Sequence, residues 1–376
     1  MTDSYAAVLR APGNARALVG FVFGYLPSGM VYLALLLLAQ RQSVPDALIG
    51  VPGGAYAVGA GLGGLVTARL VHRLFPLSVL YGGTLVALAL LPVHDTTALA
   101  VDTALAAVAG AVVPPLPAVM RTRWTGSTRG MALQSSLAAT IAVIGPAVAA
   151  GLATLVDARA VLVAAGIACA AGTLALHSLV GDDVRTAKRG WRGPWSRVGL
   201  PVGGLLLLAA SVSVFEVAIV VALSPHPGQP GRSGLVLAVW ALAEVVGGLW
   251  LTPRVTKVLG PVLLLGAVAH GLTAAAVDGS LGVLLLLVAA AGALFAPGAV
   301  ALFQAVSDRA GDDVIGGQAI ASTGALVGAS AGVALGGALS ASDPALALVV
   351  CGAGLAVVAV LGHTTSRPPV GDRLVG

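Results

Sequence analysis

The chain of 376 residues contains two glutamates, Glu216 and Glu244, and each interrupts a stretch that is otherwise apolar. Glu216 stands in Ser213-Val-Phe-Glu216-Val-Ala and Glu244 in Trp240-Ala-Leu-Ala-Glu244. A carboxyl in such surroundings can load and release a proton or hold a cation. Keeping a charged side chain at the centre of a membrane helix costs roughly 2.5–3.5 kcal/mol, so such groups face a cavity or a partner and mark substrate or proton pathways. For Glu216 and Glu244 the alternative is a structural hydrogen bond to a neighbouring helix. Trp240 precedes Glu244 by one turn on the same face, where an indole suits a planar or cationic ligand or simply packs. Tyr25, Ser28 and Tyr32 fall at i, i+3 and i+7, one polar face in an apolar run. That face is expected to line a cavity, unless the hydroxyls bond back to their own helix. Ser213 lies one turn before Glu216 and belongs with it.

Other chemistry-bearing residues are expected to be bland. Asp102 is placed at a solvated outer mouth, His270 as a proton relay or a satisfied core histidine, and Asp308, Asp312 and Asp313 as a turn and a helix cap. Gly328-Ala-Ser330-Ala-Gly332 fits a serine-hydrolase pattern, but that nucleophile needs a strand-to-helix turn and this one sits in an apolar helical run. No metal-ligand spacing, Cys-x-x-Cys, phosphate loop or haem pair occurs. The chain is therefore expected to be no enzyme and to need no metal or other cofactor, and it has no segment to draw energy from ATP.

The elements that carry these residues are membrane helices. The chain is 58% hydrophobic and 9% charged with mean hydropathy +0.99, whereas ordinary soluble domains are roughly 25% charged. Inside lipid every backbone N–H and C=O needs an internal partner, and the runs do not alternate in polarity, so they are helices. A crossing takes about 20 apolar residues. The first half reads as Leu18–Ala39, Ala47–Ala68, Pro76–Val93, Ala98–Met120, Met131–Val156 and Ala160–Val180. The second half reads as Leu200–Leu223, Gly234–Leu251, Leu259–Val277, Leu281–Phe303, Val314–Leu339 and Ala345–Leu361. The expected fold class is all-α and integral to the membrane, twelve transmembrane helices in two pseudo-symmetric six-helix bundles. The bundles are residues 1–180 and 200–376, with a polar cytoplasmic linker over 181–199.

All but three of the 20 Lys and Arg residues fall on one side of this map; Arg41, Arg159 and Arg232 are on the other. The excess marks the cytoplasmic side and puts both termini there, as an even number of crossings requires. The net charge of +5 then serves topology and anionic headgroups of the lipid bilayer, not nucleic acid. Cys169 and Cys351 fall in different halves and imply no disulfide framework. The first apolar run lacks a cleavage pattern and is read as a retained helix. Arginine outnumbers lysine 18 to 2, which suits a GC-rich bacterial genome.

The halves repeat weakly at an offset near 184. Gly63-Gly64-Leu65 matches Gly247-Gly248-Leu249, Arg73 matches Lys257, Tyr56 matches Trp240, Gln134 matches Gln318 and Tyr32 matches Glu216; Pro115 and Pro297 match at 182. Internal repeats of this kind build transporters whose site lies between the repeats. Gly59 and Gly63, and the run Gly324, Gly328, Gly332 and Gly336, provide GxxxG steps for close helix approach.

On these residues the chain resembles the major facilitator superfamily over its full length. Gly64-Leu-Val-Thr-Ala-Arg69-Leu-Val-His72-Arg73 is similar to the family's loop between its second and third helices, with His72 where an Asp is usual. The resemblance implies a cytoplasmic gate built from Gly64, Arg69, His72 and Arg73, with Lys257 in the second half. Gly145-Pro146-Ala-Val-Ala-Ala-Gly151 resembles the exporters' Gly-Pro motif, and Pro114-Pro115 with Arg121-x-Arg123-Trp124 resembles actinobacterial exporters. Ala106 stands where antiporters often carry an arginine. The resemblance implies a monomeric secondary transporter of the bacterial plasma (inner) membrane. Such a protein moves a small-molecule substrate by alternating access, as a proton-coupled exporter of drugs or metabolites with Glu216 and Glu244 as coupling groups. The alternative is a non-transporting sensor or assembly partner of the same fold.

Overall fold

In this computed structural model the chain is described over residues 4–41, 51–67, 70, 73–91, 96–124, 127–177, 195–223, 232–255, 259–311 and 313–365. Helix is the form the sequence compels, because apolar runs of this length have no water to satisfy their backbone groups. The helices of the first half are α1 (Tyr5–Arg10), α2 (Asn14–Arg41), α3 (Val51–Thr67), α4 (Leu74–Leu90), α5 (Thr96–Ala111), α6 (Leu116–Arg123), α7 (Thr128–Leu155) and α8 (Ala158–His177). Those of the second are α9 (Trp195–Leu223), α10 (Arg232–Trp250), α11 (Thr252–Val255), α12 (Leu259–Ala276), α13 (Leu281–Arg309), α14 (Val314–Ser342) and α15 (Pro344–Thr365). Nine segments among the described residues are long and apolar enough to cross a membrane, and α4 and α12 are shorter apolar helices. Counting α3, and α5 with α6 as one passage, gives six passages in each half. Their outer surfaces are apolar, with Leu90 and Leu286 each 72% exposed, which is the face a multi-pass protein turns to lipid.

Most boundaries shift by a few residues from the sequence reading, and two differences change an element. The fourth passage is not one helix: α5 ends at Ala111 and α6 starts at Leu116. Pro114 and Pro115 lack the N–H groups the helix needs and push the residue before each out of helical backbone. The chain recovers at once, with Leu116 N–H donating to Pro114 O and Val119 N–H to Pro115 O. At the linker, Trp195–Gly199 is helical and opens α9. The linker's other residues, 181–194, lie outside the described residues.

Contacts group the chain into two units, Met1–Gly130 with Leu137–Gly193 and Asp312–Leu326, and Met131–Ser136 with Pro194–Gly311 and Val327–Gly376. In the first unit α2 packs along α8, α8 along α4, and α3 along α5. Its core holds Met30, Val31, Leu35, Leu85 and Leu162, with the Tyr56 and Tyr81 hydroxyls 3.0 Å apart among them. At Gly63 a Cβ would run into the Ala111 backbone, and at Gly110 into the Tyr56 carbonyl, so α3 and α5 meet backbone to backbone.

In the second unit α9 packs along α15, α15 along α12, and α10 along α13. At Gly247 a Cβ would run into the Ala293 backbone and at Gly292 into the Trp240 carbonyl. The two backbone contacts of α3 with α5 thus recur in α10 with α13, shifted by 184 residues on one helix and 182 on the other. The internal repeat is in the packing as well as in the letters. Along α14, Gly328, Gly332 and Gly336 meet Leu206, Ala210 and Val214 of α9, one contact per turn, so the GxxxG run is a parallel helix seam. Ser330 lies within that continuous helix, with no strand-to-helix turn around it.

Candidate functional site

The two glutamates lie in the second unit on successive helices, α9 and α10, both half-buried. Behind them is an aromatic cluster that joins four helices. Phe215, next to Glu216, meets the His270 ring edge-on at 5.0 Å between centroids and lies 6.1 Å from Trp240. Trp240 also packs against Phe295 at 5.5 Å. Its indole N–H donates to His270 Nε2 at 3.4 Å, while His270 Nδ1 meets the Gly266 carbonyl at 2.8 Å. This pairing assigns the Nδ1–H tautomer, since Nε2 accepts. His270 is therefore a satisfied core histidine, and the buried Trp240 ring is packed among aromatic neighbours of its own unit. Ser213 is buried on α9, one turn before Glu216.

The hydroxyl face of α2 lies in the first unit and is less uniform than its spacing suggests. The Ser28 hydroxyl donates to the Tyr25 carbonyl at 2.8 Å, closing on its own helix. The Tyr25 ring stacks on Phe21 at 5.1 Å. Tyr32 is 47% exposed and its ring covers Gly53 of α3, where a Cβ would come within 2.8 Å of it.

Of the loop that resembles a gate, Arg69 and His72 lie outside the described residues, as does Lys257. Arg73 is exposed and sits at the N-cap position of α4 without a side-chain cap. Gly64 lies against α14: a Cβ there would stand 3.0 Å from the Thr323 hydroxyl. Gly248, its repeat partner, lies against α7, where a Cβ would stand 2.5 Å from the Ser136 hydroxyl. In the exporter-like motif, Gly145 is the point where α7 touches α2, its missing Cβ 2.7 Å from Gly29 Cα. Pro146 follows inside α7, and Gly151 has open space around it.

Three features escape a reading of the sequence. Arg121 counts there as one of many basic residues near a helix end; it is buried, and its guanidinium donates to the Ser322 hydroxyl at 3.0 Å. Its position two residues short of the end of α6, after the Pro114-Pro115 break, is the signal that sets it apart. Arg123 reaches back to the N-terminus, donating to Asn14 Oδ1 at 2.8 Å and to the Pro12 carbonyl at 3.0 Å. Asp102, expected at a solvated mouth, is 5% exposed. Its helix packs along α3 and α4, and its distance from the helix end did not reveal the burial. Asp313 does cap α14, accepting from Gly316 N–H at 2.9 Å; Asp312 lies outside the described residues.

No family model matches the chain, and no curated protein matches its sequence. Solved structures do match. The Escherichia coli fucose:proton symporter FucP, a major facilitator superfamily transporter, aligns with a TM-score of 0.67 at 15% identity, covering 96% of this chain and 100% of that one. A bacterial homologue of the iron transporter ferroportin, in its outward-facing state, aligns with a TM-score of 0.69 at 13% identity over 94% and 98% of the two chains. The human organic anion transporter MFSD10 aligns with a TM-score of 0.58 at 14% identity over 94% and 100%. The chain has the twelve-helix fold of the major facilitator superfamily.

Proposed function

We propose that the chain is a secondary transporter that moves a small molecule across the bacterial inner membrane by alternating access, coupled to protons and directed outward. The observation that carries this reading is the glutamate pair. The sequence has two glutamates, and both stand half-buried on successive helices of the same unit. Two such carboxyls in an apolar protein can exchange protons for a cationic or amphipathic substrate. Glu216 then alternates between a protonated and a substrate-engaged state, with Glu244 as its reserve, and Ser213 supplies a polar contact. Trp240 supports the pair from behind. A fucose:proton symporter shares the fold, which supports proton coupling, while the outward direction rests on Gly145-Pro146. The charge asymmetry supports cytoplasmic termini, and the gate role of Gly64, Arg69, His72, Arg73 and Lys257 rests on the family resemblance.

The test is a resistance assay with a panel of cationic and amphipathic compounds in an exporter-deficient bacterial host, with and without a proton uncoupler. The chain is expected to confer uncoupler-sensitive resistance, and Glu216→Gln to abolish it at unchanged expression. Unchanged, still uncoupler-sensitive resistance in Glu216→Gln removes Glu216 as the coupling group and turns the test to Glu244→Gln. If neither substitution matters, proton antiport is dropped in favour of facilitated diffusion.

A further inference from the structure

We propose that Asp102 is a second proton-exchange site, located in the first unit and separate from the glutamate pair. Asp102 is 5% exposed, and its Oδ1 is sealed from solvent with no hydrogen-bond partner. The adjacent Thr103 hydroxyl is sealed and unpartnered as well. Buried polar groups are normally satisfied, and a buried carboxylate has its charge met by a cation or a proton.

Among the described residues, the helices that pack along α5 offer no counter-charge. Asp102 is the one charged residue of α5. The two helices that pack along α5, α3 and α4, contain no Lys, Arg, His, Asp or Glu. Their titratable groups are Tyr56 and Tyr81, whose hydroxyls are bonded to each other at 3.0 Å. A metal ion needs several ligands, and no group of three or more His, Cys, Asp or Glu is placed to hold one among the described residues. A proton meets the charge with no further ligand. The small exposed remainder of Asp102 is the route by which the proton is exchanged. This site lies in the unit that lacks glutamates, so it stands whether or not Glu216 is a coupling group.

The experiment uses the purified full chain in lipid nanodiscs and needs no substrate. An infrared difference spectrum between the wild type and Asp102→Asn is recorded from acid to alkaline pH. The expected result is a protonated-carboxyl stretch, missing from Asp102→Asn, that is lost from the wild type as pH rises. The same signal is expected in a Glu216→Gln/Glu244→Gln background, which separates this site from the proposed coupling pair. Absence of the stretch at every pH overturns the proposal, because Asp102 is then an ionised group with a counter-ion. A stretch that persists unchanged into alkaline pH also overturns it, as the mark of a permanently neutral structural acid. If Asp102→Asn does not fold, a hydrophobic carbodiimide is applied to the wild-type protein and adducts are mapped by mass spectrometry. An Asp102 adduct that disappears with rising pH supports the site, and a pH-independent adduct or none overturns it.

Discussion

Tyr56 and Tyr81 show how a single pair of side chains is constrained by an apolar interior. Their hydroxyls lie 3.0 Å apart, and both side chains are buried among Leu85, Leu88 and Leu162. Each is the other's hydrogen-bond partner, so removing one strands its mate. Tyr81→Phe is expected to cost about 1–3 kcal/mol, the penalty for leaving a buried hydroxyl unsatisfied. The double variant Tyr56→Phe/Tyr81→Phe, with no stranded group, is expected to recover most of that loss. Thermal unfolding of the purified protein in detergent checks both; a double variant as unstable as the sum of the singles contradicts the pairing. Trp240 and His270 play the matching part in the second unit, where the indole N–H is satisfied by an imidazole instead of a phenol.

At the scale of elements, glycine decides how closely helices approach. Gly292 lies where a Cβ would collide with the Trp240 carbonyl, and a backbone cannot yield as a side-chain tip can. Gly292→Ala is expected to destabilise the protein by about 1–3 kcal/mol, the usual range for overpacking a tight interior. Gly83→Ala and Gly151→Ala are the controls: both positions are helical with open space around them, so alanine is expected to be neutral or mildly stabilising. Unfolding temperatures of the three variants, compared in one detergent, test this; equal shifts at all three contradict the backbone contact. Gly110→Ala, the repeat counterpart, is expected to behave as Gly292→Ala does.

For the whole molecule, the expected topology places Arg73 on the cytoplasmic side and Arg159 outside. Both residues are exposed. The native cysteines, Cys169 and Cys351, are buried, so single-cysteine reporters can be added to the wild-type background with little interference. Arg159→Cys is expected to react with a membrane-impermeant thiol reagent on intact cells, and Arg73→Cys only after the cells are opened. Labelling of Arg73→Cys on intact cells overturns the orientation drawn from the basic residues.

Hydropathy by itself determined the helical class, the number of passages and most helix boundaries within a few residues, because lipid leaves an apolar run of about 20 residues no other way to satisfy its backbone. The repeat was legible too, in Gly63 with Gly247 and Tyr56 with Trp240, since both copies need a small residue at the same helix crossing. The break at Pro114-Pro115 was hidden by a hydropathy that does not change across it, although the residues that cause it were in view. Side-chain surroundings were decided by tertiary structure alone. Hydropathy ranks residues along one helix, and whether a polar group on it meets water, lipid or another polar group depends on which helices lie beside it. Asp102 looked solvated from its distance to a helix end and is buried. Arg121 looked like one more basic flank and is buried on Ser322, a residue 201 positions away in the chain.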